Sequence, residues 1–148
     1  MRLGFKVVTL LAVLFALGIS APAQRRQQFN PDGSFWIIGQ PPNGFQDFGG
    51  INLNGRQLRH IPSQGLQLIN GPTFHFKSLV VKRHDFRFTT ITRRGVYYTF
   101  AGRFQRGGVY AELGLDDEKP VLEGVLTKYA RGRKVAEAKL KFSYFGGT

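Results

Sequence analysis

The stretch PVLEGVLTKYARGRKVAEAKLKFSYF, residues 120–145, alternates apolar and polar residues on both sides of Ala130-Arg131-Gly132. Alternation at a period of two is typical of β-strands that bury one face. A short connection that contains glycine, placed between two such runs, predicts an antiparallel hairpin. We therefore predict strands over 120–129 and 133–145, joined by a three-residue loop. In this register Leu126 lies opposite Ala136 and Leu122 opposite Leu140.

The same alternation extends toward the N-terminus. It predicts further strands over 73–82, 86–92, 96–104 and 109–115, and no helical periodicity competes with it. Arg93-Arg94-Gly95 repeats the three-residue loop and sets Phe88 opposite Phe100 and Thr92 opposite Val96. Short connections favour antiparallel pairing of consecutive strands, so the fold class is an all-β antiparallel meander of about six or seven strands. Such a sheet forms a half-open barrel or a sandwich.

Two four-residue loops complete the predicted meander. Loops over 105–108 and 116–119 set Phe104 opposite Val109 and Leu115 opposite Pro120. With these registers, four small residues lie side by side on the apolar face of four adjacent strands. The row consists of Gly102, Ala111, Gly124 and Ala138.

This row predicts a trough without side chains, in which a hydrophobic or amphipathic ligand approaches the backbone. Glycine within a strand often marks a bend or the close approach of a ligand. A strongly curved sheet, or a trough filled by Trp36 and its neighbours, explains the same residues. Arg87 and Arg103 are candidates for a basic rim that steers an anionic headgroup. The candidate ligand-binding residues are Tyr98, Phe100, Gly102, Ala111, Gly124, Leu126 and Ala138.

Residues 24–72 are rich in Gly, Pro and Asn, with scattered aromatic residues. Turn signals such as Gly49-Gly50 interrupt this part, and only 35–38 and 66–69 read as short strands. A plain flexible linker is poor in large apolar groups. We therefore expect an irregular segment that packs its aromatic side chains onto 73–148, so that 24–148 is a single domain.

The first 23 residues have the layout of a secretory signal peptide. Arg2 and Lys6 precede an apolar run over 7–19, and Ala21-Pro22-Ala23 supplies small residues for cleavage. A thirteen-residue run is shorter than the ~20 residues that span a membrane as a helix. We expect export to the periplasm or the exterior, with no transmembrane helix after cleavage.

Charge and cysteine content restrict the partners. The formal net charge is +12, and removal of Arg2 and Lys6 leaves +10. Such a chain attracts anions, which favours a lipid-like molecule or an acidic cell-envelope polymer; export disfavours nucleic acid. The chain has no cysteine, so disulfides and thiolate ligands are excluded.

No catalytic or metal-binding motif stands out, and we expect no cofactor. Glu112 and Glu123 face each other in the predicted register. This pair of carboxylates forms an active site only if both residues lie in a cleft. The three histidines, His60, His75 and His84, have no shared spacing that would bring them to one metal ion.

The sequence thus predicts an exported, basic, non-enzymatic β-domain, with ligand binding in the trough as the first hypothesis. The alternative is a structural or adhesion protein that binds acidic envelope polymers. A small outer-membrane β-barrel is a further alternative. The sparse strand signal in the N-terminal part of the chain counts against it.

Overall fold

The computed structural model describes residues 29–55, 64–105 and 119–145. Within these ranges the regular secondary structure consists of β-strands, without a helix. The predicted signal peptide lies outside the described residues. All strand pairs are antiparallel and form one sheet in the order β3-β2-β1-β8-β7-β6-β5-β4. The strands are β1 (Gly33–Ile37), β2 (Phe48–Leu53), β3 (Gly65–Leu68), β4 (Phe76–Lys82), β5 (Asp85–Thr90), β6 (Val96–Phe104), β7 (Leu122–Ala130) and β8 (Arg133–Phe145).

The two edges of this sheet approach each other, so that it nearly closes into a barrel. Leu66 in β3 pairs with Phe74, which lies two residues before β4. The Leu66 amide donates to the Phe74 carbonyl at 3.0 Å, and the Phe74 amide donates to the Leu66 carbonyl at 2.8 Å. The prediction of an all-β antiparallel half-open barrel is confirmed.

The order of the strands corrects one expectation. β6 pairs along its whole length with β7, from Val96 opposite Ala130 to Phe104 opposite Leu122. β6 and β7 are therefore direct neighbours in the sheet, and the predicted strand over 109–115 falls outside the described residues. Apolar alternation specifies which face of a strand is buried, but it does not specify which strand lies beside it.

Both hairpin loops are one residue shorter than predicted. In the first, Arg93 and Val96 pair directly, which replaces the expected pairing of Thr92 with Val96. The two loop residues, Arg94 and Gly95, have φ angles of 49° and 76°. Two consecutive residues with positive φ are the mark of a type I′ turn, whose twist matches that of the strands. Farther from this turn, the predicted pairing of Phe88 with Phe100 is confirmed.

The second hairpin has the same turn and a different register. Arg131 and Gly132 have φ angles of 51° and 77°, and the pairing shifts next to the turn because Val135 is left over as a β-bulge. As a result Leu126 lies opposite Ala138, and Leu122 opposite Phe142. The predicted partners, Ala136 and Leu140, were wrong by two residues. Because side chains alternate at a period of two, a shift of two keeps the same side chains on the buried face.

The interior of the barrel is packed with aromatic side chains. Pairs of rings stack across neighbouring strands, as Phe88 does on Phe100, with centroids 5.5 Å apart and planes 18° apart. Strands β1 and β2 add Phe35 and Phe48, both buried. Trp36 points the other way and is 44% exposed. The buried aromatic residues are Phe35, Phe45, Phe48, Phe74, Phe76, Phe86, Phe88, Tyr98, Phe100, Phe104 and Phe142.

Candidate functional site

The predicted trough is occupied by a side chain of the protein itself. Gly102 and Gly124 are direct partners in β6 and β7, and the ring of Phe100 lies over both. A Cβ atom added to Gly102 would lie 2.5 Å from Phe100 Cζ and 2.5 Å from the carbonyl oxygen of Glu123. The two glycines therefore make room for a phenyl ring, and Trp36 is not the filler.

The remaining trough residues do not form the expected row. Gly124 lies opposite Leu140 instead of Ala138, because the two-residue turn and the bulge at Val135 each shift the register by one residue. Ala111 lies outside the described residues. Phe100 and Leu126 are buried, at 2% and 0% exposure, and belong to the packed interior.

One predicted residue, Tyr98, reaches a cavity that sequence reasoning did not find. This cavity, which we call the basic cleft, has a volume of about 420 Å³. It lies where the first residues of β6 and the last residues of β7 meet the turns next to β2, β3 and β4. The lining residues are Asp47, Leu68, Pro72, Phe74, Arg93, Arg94, Val96, Tyr98 and Lys128.

The fold brings the cations of the cleft together from two hairpins. Arg93 and Arg94 belong to the β5–β6 turn, and the Arg93 guanidinium donates through Nη1 to the carbonyl of Thr73 at 3.1 Å. Lys128 lies on β7 two residues after buried Leu126, so it occupies an inward position of the alternation. A lysine at an inward position near a strand end is the sequence signal that could have revealed this end of the barrel.

Among the described residues that line the cleft, Asp47 supplies the only carboxylate. Its backbone carbonyl accepts from the Ile69 amide at 2.8 Å, which fixes the loop before β2 against the end of β3. Three cations and one carboxylate leave the cleft with a net positive charge. Leu68, Phe74 and Val96 provide an apolar wall.

Tyr98 joins the cleft to the core. Its side chain is 2% exposed, and its ring packs edge-on against Phe74 with centroids 4.9 Å apart. Lys128 Nζ lies 5.8 Å from the centre of the Tyr98 ring. Burial, and secondarily the negative charge of Asp47, raise the pKa of the Tyr98 hydroxyl to about 12. Tyr98 is therefore a neutral hydrogen-bonding group at physiological pH.

The predicted basic rim lies elsewhere. Arg87 and Arg103 are both exposed on the outer face of the sheet, where Arg103 lies opposite Glu123. The Glu123 carboxylate is also 3.7 Å from Lys141 Nζ. The enzyme hypothesis needed Glu123 in a cleft with Glu112, which lies outside the described residues. Glu123 is instead part of a ladder of charged side chains on the outer face.

A second, shallow groove crosses the outer face of β4 to β8. It has a volume of about 430 Å³ and contains Thr89, Thr99 and Thr127. Thr127 donates to Glu137 Oε2 at 3.1 Å, and Lys134 lies 3.2 Å from Glu137 Oε1. The hydrogen bond from Lys134, followed by that from Thr127, lowers the pKa of Glu137. The Glu137 carboxylate at this end of the groove stays ionised, and its negative charge is already balanced by its contacts with Lys134 and Thr127.

No group of three or more potential metal ligands occurs among the described residues. The same part of the chain contains no helix with the length and apolar character needed to cross a membrane. No protein-family model matches the sequence, and neither curated proteins nor solved structures show significant similarity to it. The fold and the basic cleft are therefore the basis on which a function is proposed.

Proposed function

We propose that this protein is an exported, non-enzymatic β-domain that binds an amphipathic anion in the basic cleft. The supporting observation is the meeting of an apolar wall with three cations in one cavity. Arg93, Arg94 and Lys128 provide positive charge for a headgroup, and Leu68 and Phe74 contact an apolar tail. The volume, about 420 Å³, is within the ~300–1,000 Å³ usual for small-molecule sites.

The cleft replaces the small-residue trough as the ligand site in this proposal. The trough holds the Phe100 ring, whereas the cleft presents charged groups that are already in place. Arg93 is oriented by its hydrogen bond to Thr73, which reduces the conformational entropy lost on binding. Tyr98, whose hydroxyl stays neutral, lines the same cleft.

Calorimetry with three probes tests the proposal. Octyl phosphate has both required parts, octyltrimethylammonium reverses the charge of the headgroup, and inorganic phosphate lacks the tail. We expect octyl phosphate to bind and the other two probes to bind at least tenfold more weakly. Equal affinity for the two octyl compounds would contradict the assignment of the cations.

Lys128→Met tests the site directly, because methionine keeps most of the apolar stem while removing the charge. Charged hydrogen bonds contribute about 1.5–3 kcal/mol, so we expect octyl phosphate affinity to fall at least tenfold. Lys77→Met is the matched control, since Lys77 is exposed on β4 and does not line the cleft. If both variants bind like the wild type, the cleft is not the site.

Export is tested separately by secretion of the full chain from a bacterial host. Cleavage after Ala23 yields a chain that begins at Gln24, which intact-mass spectrometry identifies. Binding to acidic envelope polymers, the alternative function, predicts association that weakens steeply as salt is raised. Titration of alginate against the purified protein at low and high salt distinguishes this alternative from octyl phosphate binding.

A further inference from the structure

Two aromatic side chains are exposed together on the outer face, away from the cleft. Trp36 in β1 is 44% exposed and Phe145 in β8 is 42% exposed. Their ring centroids are 5.1 Å apart, and the planes are inclined at 46°. Single exposed apolar residues are common on proteins, whereas adjacent exposed aromatic rings indicate a contact surface.

The register of β1 and β8 places lysines beside these rings. Trp36 lies opposite Ser143, with Phe145 two residues along β8 on one side and Lys141 two residues along on the other. Lys139 follows on the same face because side chains alternate along a strand. We call Trp36, Phe145, Lys139 and Lys141 the aromatic patch.

The charges of the aromatic patch are available to an external anion. Lys139 is exposed and forms no ion pair with any residue that the structure describes. The Lys141 side chain is 57% exposed, and its Nζ lies 3.7 Å from Glu123 Oε1. An exposed pair at this distance contributes little to stability, so Lys141 exchanges it readily for another partner.

We infer that the aromatic patch docks the protein onto an anionic lipid surface. Trp and Phe rings bury their apolar bodies at the level of the headgroups, while lysines beside them attract acidic lipids. The inclination of 46° between the rings gives no common flat platform for a sugar ring, which argues against a glycan partner. This inference does not depend on the cleft, because the patch and the cleft share no residue.

Fluorescence of Trp36, the single tryptophan of the chain, reports docking directly. The secreted protein is titrated with vesicles of phosphatidylcholine alone and of phosphatidylcholine mixed with phosphatidylglycerol. We expect a blue shift with the mixed vesicles only, and quenching when brominated phosphatidylcholine is included. Equal binding to neutral vesicles would overturn the inference, as would a blue shift with alginate and none with vesicles.

Matched variants separate the patch from the general positive charge. In vesicle co-sedimentation, Trp36→Ala and Phe145→Ala should each lower the partition coefficient at least fivefold, and the double variant Lys139→Gln/Lys141→Gln should do the same. Val80→Ala and Lys77→Gln are the controls, since both residues are exposed on β4. Circular dichroism verifies that each variant is folded.

Lys128→Met is a further control, because its loss of octyl phosphate binding should leave vesicle binding unchanged. Failure of the docking inference is thereby distinguished from failure of the cleft proposal. Patch variants that bind mixed vesicles as the controls do would overturn the inference.

Discussion

Substitution of Gly124 by alanine tests how closely the interior packs at the predicted trough. A Cβ atom at Gly124 would lie 2.6 Å from the carbonyl oxygen of Ala101 and 2.6 Å from the Cα of Gly102, besides meeting the Phe100 ring. The first two atoms are backbone of the paired strand and do not rotate away. Relief therefore requires β6 and β7 to separate locally.

The cost follows from two opposing terms. Overpacking of a closely packed interior costs about 1–3 kcal/mol, and contacts with backbone favour the upper end of that range. The lower entropy of the unfolded alanine chain returns about 0.4–1 kcal/mol. We expect Gly124→Ala to lower the free energy of unfolding by about 2 kcal/mol.

Urea unfolding followed by circular dichroism measures this change. With a slope of about 1–3 kcal/mol per molar urea, the midpoint should fall by about 1 M. Gly49→Ala is the control: Gly49 also lies in a strand, and a Cβ there would have its nearest neighbour, the Gln67 carbonyl oxygen, at 3.3 Å. Equal midpoints for the two variants would refute the close packing of β6 against β7 at Gly124.

Two further predictions concern Tyr98 and the β7–β8 turn. The folded pKa of Tyr98, about 12, lies above its ordinary value of 10.0, so its stabilising contribution is complete below pH 10 and lost as the pH rises through 12. The wild type should therefore lose up to about 3 kcal/mol more than Tyr98→Phe over this interval; identical pH profiles of unfolding would contradict a buried neutral hydroxyl. Arg131 has a φ of 51°, in a region that costs most residues roughly 1–2 kcal/mol and that asparagine tolerates better. Arg131→Asn should raise the urea midpoint, and a lower midpoint would show that the arginine side chain stabilises the turn.

Local pattern determined much of this fold. The alternation over 96–104 and 133–145 predicted β6 and β8 with the bounds that the structure has, because strands with one buried face must alternate. β2 was missed, since Gly49-Gly50 reads as a turn. In the structure Gly50 lies beside β1, where a Cβ would be 2.7 Å from the Phe35 carbonyl oxygen, so this glycine permits close pairing of strands.

The predicted ligand-binding residues differ in where the structure places them. Tyr98 was predicted as a ligand-binding residue, and it lines the basic cleft; Phe100 was predicted with it, and its ring fills the space above the two glycines. The registers depended on Val135, because its bulge and the shorter, two-residue turn together moved the partners from Lys128 to Leu122 by two residues. Alternation is unchanged by a shift of two, so no pattern of apolar residues could have detected the bulge.

By itself, the sequence determined an all-β antiparallel sheet, most of its strands and the faces that they bury. These properties follow from local alternation and turn chemistry. Only the tertiary structure decided that β6 lies against β7, that Phe100 occupies the trough, and that Arg93, Arg94 and Lys128 meet around one cavity. Such contacts join residues far apart in the chain, and they depend on how the sheet curls and nearly closes.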